Sequence, residues 1–413
     1  MSTNRSESIN YWRWRGSVPP VNPPQPSLPD DDGPPEPRDL STTELLQEDF
    51  FRKPGIHVIF MPKVEEILKM AESAELCRKI SEKFFLPDFF FERLGWNANG
   101  IFGSTENLSE SDTETSYETA NHNSHEATFS RFLSKHIREV RPNRITPRDP
   151  SEEYLISSNA SSYEYEWHYM AFCTLWRSSV VNSTDEFTDE TNVLVCFDLD
   201  DNITLRLKRL LQKADLRHWK NEPFLMLEYA LKVVVDRCED DLWSFQKPMR
   251  IVEKSRDEGL FQGIGLVGND KIFEFLVERY SRLHEISRHV IHISETMDAA
   301  SNNIGAIIRD HDLWIRSSIH SSTTTRRLSK ALLLYENIIT NLGLRAKALL
   351  ARMDNEIHCV SASCERNCGQ IYFLKSRQLT MFDRPPILSQ LQTVTSRKGS
   401  SRKDKYSQIP CLL

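Results

Sequence analysis

From Leu283 the apolar positions advance in steps of three and four through Ile286, Val290, Ile293, Met297, Ala300, Ile304 and Ile307, closing with His311 and Trp314. A second run repeats the spacing through Leu328, Leu332, Tyr335, Ile339, Leu342, Ala346, Leu349 and Met353. Such steps hold every named side chain on one narrow stripe, since a heptad repeat follows two turns of a slightly under-wound helix. Charged residues such as Glu285, Arg288, Arg309, Glu336 and Arg352 fall between them, on the wet sides. The pattern predicts two long antiparallel heptad helices, a hairpin or coiled-coil stalk over residues 246–357. They are joined across residues 317–325, where serine and threonine favour a turn. Such an element serves association or mechanics before chemistry.

Upstream, residues 50–245 read as an α/β domain, a mixed sheet with flanking helices. Ile56 to Met61 is a continuous apolar run ending at Pro62, the pattern of a buried strand. Residues 63–85 read as one amphipathic helix with Val64, Ile67, Leu68, Ala71, Leu76 and Ile80 on its apolar face. Strands are expected at residues 154–156, 166–176 and 193–197, the last running into Asp198, Asp200 and Asp201. From Leu205 the chain reads as helical, with Glu222-Pro223 opening one helix and Lys247-Pro248 interrupting it. Three segments read as disordered. Residues 1–45 form a proline-rich tail, residues 104–126 an acidic insertion without lysine or arginine, and residues 358–413 a basic tail.

Composition narrows the function classes. With 413 residues the chain has room for two or three domains, and its net charge of −7 points to neither nucleic acid nor acidic lipid. Eight cysteines lie scattered, mostly in apolar runs, as reduced buried thiols do. The N-terminus lacks an apolar signal region, and no stretch reaches the roughly 18 to 20 apolar residues that cross a bilayer. The chain as written therefore reads as soluble and cytoplasmic.

Several motifs resemble chemistry without its full geometry. Gly263 to Gly268 matches G-x-G-x-x-G, but charged residues stand where a dinucleotide site needs a strand, so a joint between helices is the expectation. His284 and His289 are five apart, which puts them on different faces of a helix. Glu285, His289 and His292 do share a face, at i, i+4 and i+7, and are candidate ligands for a divalent cation. Asp198 and Asp200 are a second candidate pair, since alternate acidic side chains can converge in a loop. The competing readings are a solvated helix flank and a polar turn. His358, Cys359, Cys364 and Cys368 cluster without C-x-x-C spacing. No nucleophile stands beside a base in any recognised pattern, so no enzyme is expected.

Several stretches resemble fungal CorA-like proteins, relatives of the CorA and ZntB divalent-cation transporters. They are Phe89 to Leu94, Trp167 to Met170 with Leu175 to Arg177, Val195 to Asp198, Val235 to Trp243, Ser287 to His292 and Asp354 to Ile357, in this order. The resemblance covers roughly residues 50–358. It implies a cytosolic α/β domain, a stalk helix leading into two membrane helices, and a homo-oligomer, specifically a pentamer, around a pore with a Gly-Met-Asn loop. Magnesium or another divalent cation is the implied ion, and the implied partner is a further copy of the chain rather than nucleic acid. After Ile357 the two membrane spans and the Gly-Met-Asn loop are absent, and polar, basic sequence replaces them. The expectation is a cytosolic portion that is not transport-competent alone, with any membrane contact through a missing or separate segment. The abrupt change favours a frame or splice change near residue 358. The alternative is a soluble helical scaffold that binds partners through its coiled-coil seams.

Overall fold

The computed structural model describes residues 9–14, 36–48, 55–70, 72–92, 99–108, 123–140, 162–179, 191–214, 222–262, 269–317 and 323–381. Seven strands form one mixed sheet: β1 Ile9–Trp14, β2 Glu36–Leu40, β3 Gly55–Phe60, β4 Gly100–Leu108, β5 Asn123–Val140, β6 Ser162–Ser179 and β7 Thr191–Phe197. Their order is β2-β1-β3-β7-β6-β5-β4. β3 and β7 run parallel, Gly55 beside Thr191 and Phe60 beside Cys196, and the other described pairs are antiparallel. Both central strands are buried along their whole length, as near-continuous apolar runs require.

The helices are α1 Thr42–Gln47, α2 Val64–Leu68, α3 Ser73–Phe84, α4 Asp201–Gln212, α5 Leu225–Gln262, α6 Asn269–Ser317 and α7 Thr323–Met381. The chain divides into two units, residues 1–261 with 282–356, and residues 262–281 with 357–413. In the first unit the sheet separates two apolar cores. One gathers Val58, Phe132, Phe172 and Leu194 with the inner faces of α4, α5, α6 and α7. The other gathers Ile59, Ala171, Val195 and Phe197 with Leu45, Ile80 and Phe84 from α1 and α3. In the second unit the described residues are Gln262 at the end of α5, the first turns of α6 and the last turns of α7.

The predicted stripes are the buried faces of α6 and α7. Each of Leu283, Ile286, Val290, Ile293, Met297, Ala300, Ile304 and Ile307 is at most 1% exposed, and Leu328, Leu332, Ile339, Ala346 and Met353 match them, with Leu349 at 2%. His311 closes the first stripe in the core, its Nε2 3.4 Å from the buried Glu222 carboxylate. Phe224, just before α5, and Leu225, Met226 and Leu227 in its first turn are all buried, as an enclosed helix start demands.

Five expectations need correction. The proline-rich tail expected to be disordered over residues 1–45 contributes β1, β2 and α1. Ile9 and Tyr11 alternate into the core, and the Tyr11 hydroxyl lies 2.6 Å from His57 Nδ1. Pro37 is accommodated because β2 is an edge strand, where a missing N–H costs no ladder bond. The single helix expected over residues 63–85 is broken into α2 and α3 by Glu72, which adopts a left-handed conformation with φ of 58°. The buried residues Val64, Ile67, Cys77 and Ile80 suit two short helices as well as one long one. The acidic insertion is narrower than residues 104–126, because Ser104 to Leu108 pair with Thr128 to Ser124. Its residues 109–122 lie outside the described ones.

Pro248 does not interrupt α5. Its neighbours Phe245 and Met249 are fully buried, and that packing offsets the lost backbone bond. Finally, α7 continues to Met381, so the basic tail is not disordered over residues 358–381. No proline occurs there before Pro385, and extending an existing helix is far cheaper than nucleating one. The strand expected at residues 154–156 and the Gly263 to Gly268 joint lie outside the described residues.

Candidate functional site

β5 and β6 are 18 residues each, and near their far ends the face that carries Phe132 and Met170 turns polar. Ser134, His136 and His168 follow on that face and meet α5. Arg237 and Asp241 stand one turn apart on α5, and Asp200 at the N-cap of α4 completes the group. Asp241 is completely buried and is the hub. His136 Nδ1 lies 3.0 Å from its Oδ1, and His168 Nδ1 lies 3.2 Å from its Oδ2. Arg237 Nε donates to Oδ2 at 3.2 Å, and its Nη1 lies 3.4 Å from Asp200 Oδ2. Arg237 also donates to the His168 ring, with Nε 3.0 Å from Nδ1. His168 Nδ1 cannot accept from Arg237 and donate to Asp241 at once, so its tautomer decides which bond is made.

Burial pushes the Asp241 carboxyl up, but the bonds from His136 and His168 and the charge of Arg237 outweigh it. The group is held well below the usual carboxylate range. The result is a fixed carboxylate clamped by three basic side chains from two strands and one helix, which locks the long hairpin to α5. The adjacent Cys238 thiol is pushed up to about 12, by burial first and then by Asp241. Cys173 and Cys196 are raised by burial as well, so these thiols stay protonated and unreactive.

Asp198 and Asp200, candidate cation ligands in the sequence, are helix caps. Asp200 Oδ1 accepts the Ile203 N–H at 2.7 Å and starts α4. Asp198 Oδ1 accepts the Val64 N–H at 2.7 Å, capping α2 from a distant part of the chain where Lys63 supplies no side-chain bond. Burial raises the Asp198 carboxyl to about 6, against the pull of the Val64 N–H and Arg131.

The α6 candidates are brought together in part. The rings of His289 and His292 lie 6.4 Å apart, while Glu285 is exposed. His289 stacks on Tyr165 at 3.5 Å and is lowered to about 4 by burial, then by Lys135, Arg288 and His292. His292 pairs with Glu295 at 3.3 Å. Among the described residues no group of three or more His, Cys, Asp and Glu side chains is placed to hold a metal ion. The side chains of Cys364 and Cys368 lie outside the described ones.

The sequence marks Asp200 by its acidic run but passes over His136, His168, Arg237 and Asp241. One signal was legible, the i, i+4 spacing of Arg237 and Asp241 in a helix otherwise apolar on that side.

No family model matches the chain, and no curated protein matches it in sequence. Among solved structures it is similar to the complete CorA magnesium transporter of Methanocaldococcus jannaschii, at 9% identity and a TM-score of 0.40, covering 95% of this chain and 88% of that one. The full-length CmaX protein gives 9% and 0.42, covering 97% and 89%. The ZntB cytoplasmic domain of Vibrio parahaemolyticus RIMD 2210633 gives 9% and 0.36, covering 88% and 99%. Superpositions this loose carry no argument about ancestry or activity. No helix among the described residues is long and apolar enough to cross a membrane.

Proposed function

We propose that this chain is the cytosolic portion of a fungal CorA-like divalent-cation transport system, acting by self-assembly and not by catalysis. The observation that carries the reading is the coupling of a mixed α/β unit to two helices with continuous buried seams. Asn303 on α6 donates to the carbonyls of Ile101 at 3.3 Å and Arg131 at 2.8 Å, tying seam and sheet together. A movement of α6 would therefore be felt by β4 and β5. The ordered resemblance of residues 50–358 supports the same reading, with magnesium or another divalent cation as the ion and a homo-oligomer, pentameric in that family, as the assembly. Without a lined path no ion crosses hydrocarbon, so this reading assigns the chain a role beside a pore.

Sedimentation of the full chain with and without magnesium tests the reading. An oligomer is expected, with its population shifted by the ion, and a strict monomer at high concentration under both conditions would overturn it. Translation of the genomic sequence beyond codon 358 in all frames gives a second test. Two apolar segments of about 20 residues flanking Gly-Met-Asn are expected.

A scaffold reading is favoured by a different observation. Leu333, Leu334 and Leu344 on α7 are 47%, 55% and 60% exposed, more apolar surface than a solvated helix face needs. A hetero-complex formed through α7, with no effect of magnesium on assembly, would mark that alternative.

A further inference from the structure

Lys135 on β5 is 4% exposed, yet no hydrogen bond or ion pair reaches it among the described residues. Its ammonium lies 4.3 Å from the centre of the Trp167 ring, its cross-strand partner on β6. His292 approaches the same indole, ring centres 5.6 Å apart, and His289 lies one turn before it against Tyr165. His289 is nine-tenths buried, and its Nδ1 has no hydrogen-bond partner. The exposed Arg288 adds a further positive charge felt by both Lys135 and His289.

A sealed imidazole nitrogen with nothing to bond is costly, and an ammonium that finds only a π-face gains from an anion beside it. One occupant would satisfy both. We propose that Lys135, Arg288, His289 and His292 form a binding site for a small oxyanion of the phosphate type, with Trp167 as its wall. The ammonium and guanidinium supply charge, and neutral His289 donates Nδ1–H to an oxygen. His292 is half-buried and Arg288 exposed, so the group borders solvent on that side. Lys135 and Arg288 repel the divalent cation that the histidine spacing alone brings to mind. Two carboxylates oppose the anion. Glu295 is engaged by His292, and the charge of Glu285 is felt at Tyr165. The site stands independently of any role in ion transport.

Titration of the full chain with inorganic phosphate, followed by calorimetry, tests it. Saturable binding is expected, weakened at least tenfold in Lys135→Met and several-fold in Arg288→Gln, and tightened in Glu285→Gln. Arg288 is exposed, so its variant reports on the site even if the buried substitution at Lys135 prevents folding. Absence of saturation, or equal affinity in the wild type and Arg288→Gln, overturns the proposal. So does saturable zinc binding that is lost in His292→Ala while phosphate does not bind.

Discussion

Asp198 holds a left-handed backbone conformation, φ 59°, at the point where β7 ends, and its carboxyl caps a helix more than a hundred residues away. Burial lifts that carboxyl from 3.8 to about 6. Between those values the folded chain binds more protons than the unfolded one, so this group makes stability fall as pH rises from about 4 to about 6. Asp198→Asn keeps an oxygen for the Val64 N–H and removes the ionisation. Its urea midpoint is expected to vary less with pH across that window, and its unfolding free energy to be equal or higher at pH 7 by on the order of 1 kcal/mol. Parallel pH profiles for the two proteins would contradict this. Asp241 has the opposite sign. Its depressed carboxyl stabilises the fold above the usual aspartate range, and that contribution is lost as pH falls below it. Asp241→Asn leaves the buried Arg237 short of a counter-charge and should cost about 3 kcal/mol or more in equilibrium unfolding. Glu164→Gln, which breaks only the exposed pair with Arg138, should leave stability unchanged. Sequence alone shows that Asp198, Asp200 and Asp201 are clustered. It does not show which backbone N–H each will find, because the partner of Asp198 arrives from a remote segment.

At the scale of elements, the seams of α6 and α7 were fully legible because one periodicity decides both helix and buried face. Ile293→Ala on that seam should cost about 2–5 kcal/mol, whereas Leu344→Ala on the outer side of α7 should stay within about 0.5 kcal/mol. Chemical denaturation measures both. Short elements were less legible. The prolines around β1 and β2 dominate any composition window, and the two strands become visible only through pairing, β1 with β3 and β2 with β1. The β4–β5 pair carries a contact of the same long-range kind. Gly103 faces Phe129 across the ladder, and the ring lies where a β-carbon would stand. Gly103→Ala is therefore expected to cost about 1–3 kcal/mol, and much less in a Phe129→Ala background. A double-mutant cycle reads that difference directly.

For the molecule as a whole, the order of the sheet sets the order of folding. The α6–α7 seam joins segments that are neighbours in sequence, while β3 must find β7 after every intervening strand has been made. Loop closure over such a span is slow, so pulsed hydrogen exchange during refolding should protect α6 and α7 amides before those of β3 and β7. Simultaneous protection of both sets would refute this. The sequence could announce the architecture of sheet followed by long helices, but not the clamp between them. His136, His168 and Asp241 lie on three different elements, and no local spacing encodes their meeting. The placement of β1 between β2 and β3 has a practical corollary. Any shortened version that begins after Trp14 would strip the apolar β3 of its neighbour and leave a long bare backbone ladder facing water. Such a ladder recruits other chains, so trimming the proline-rich start to improve solubility should instead yield aggregates.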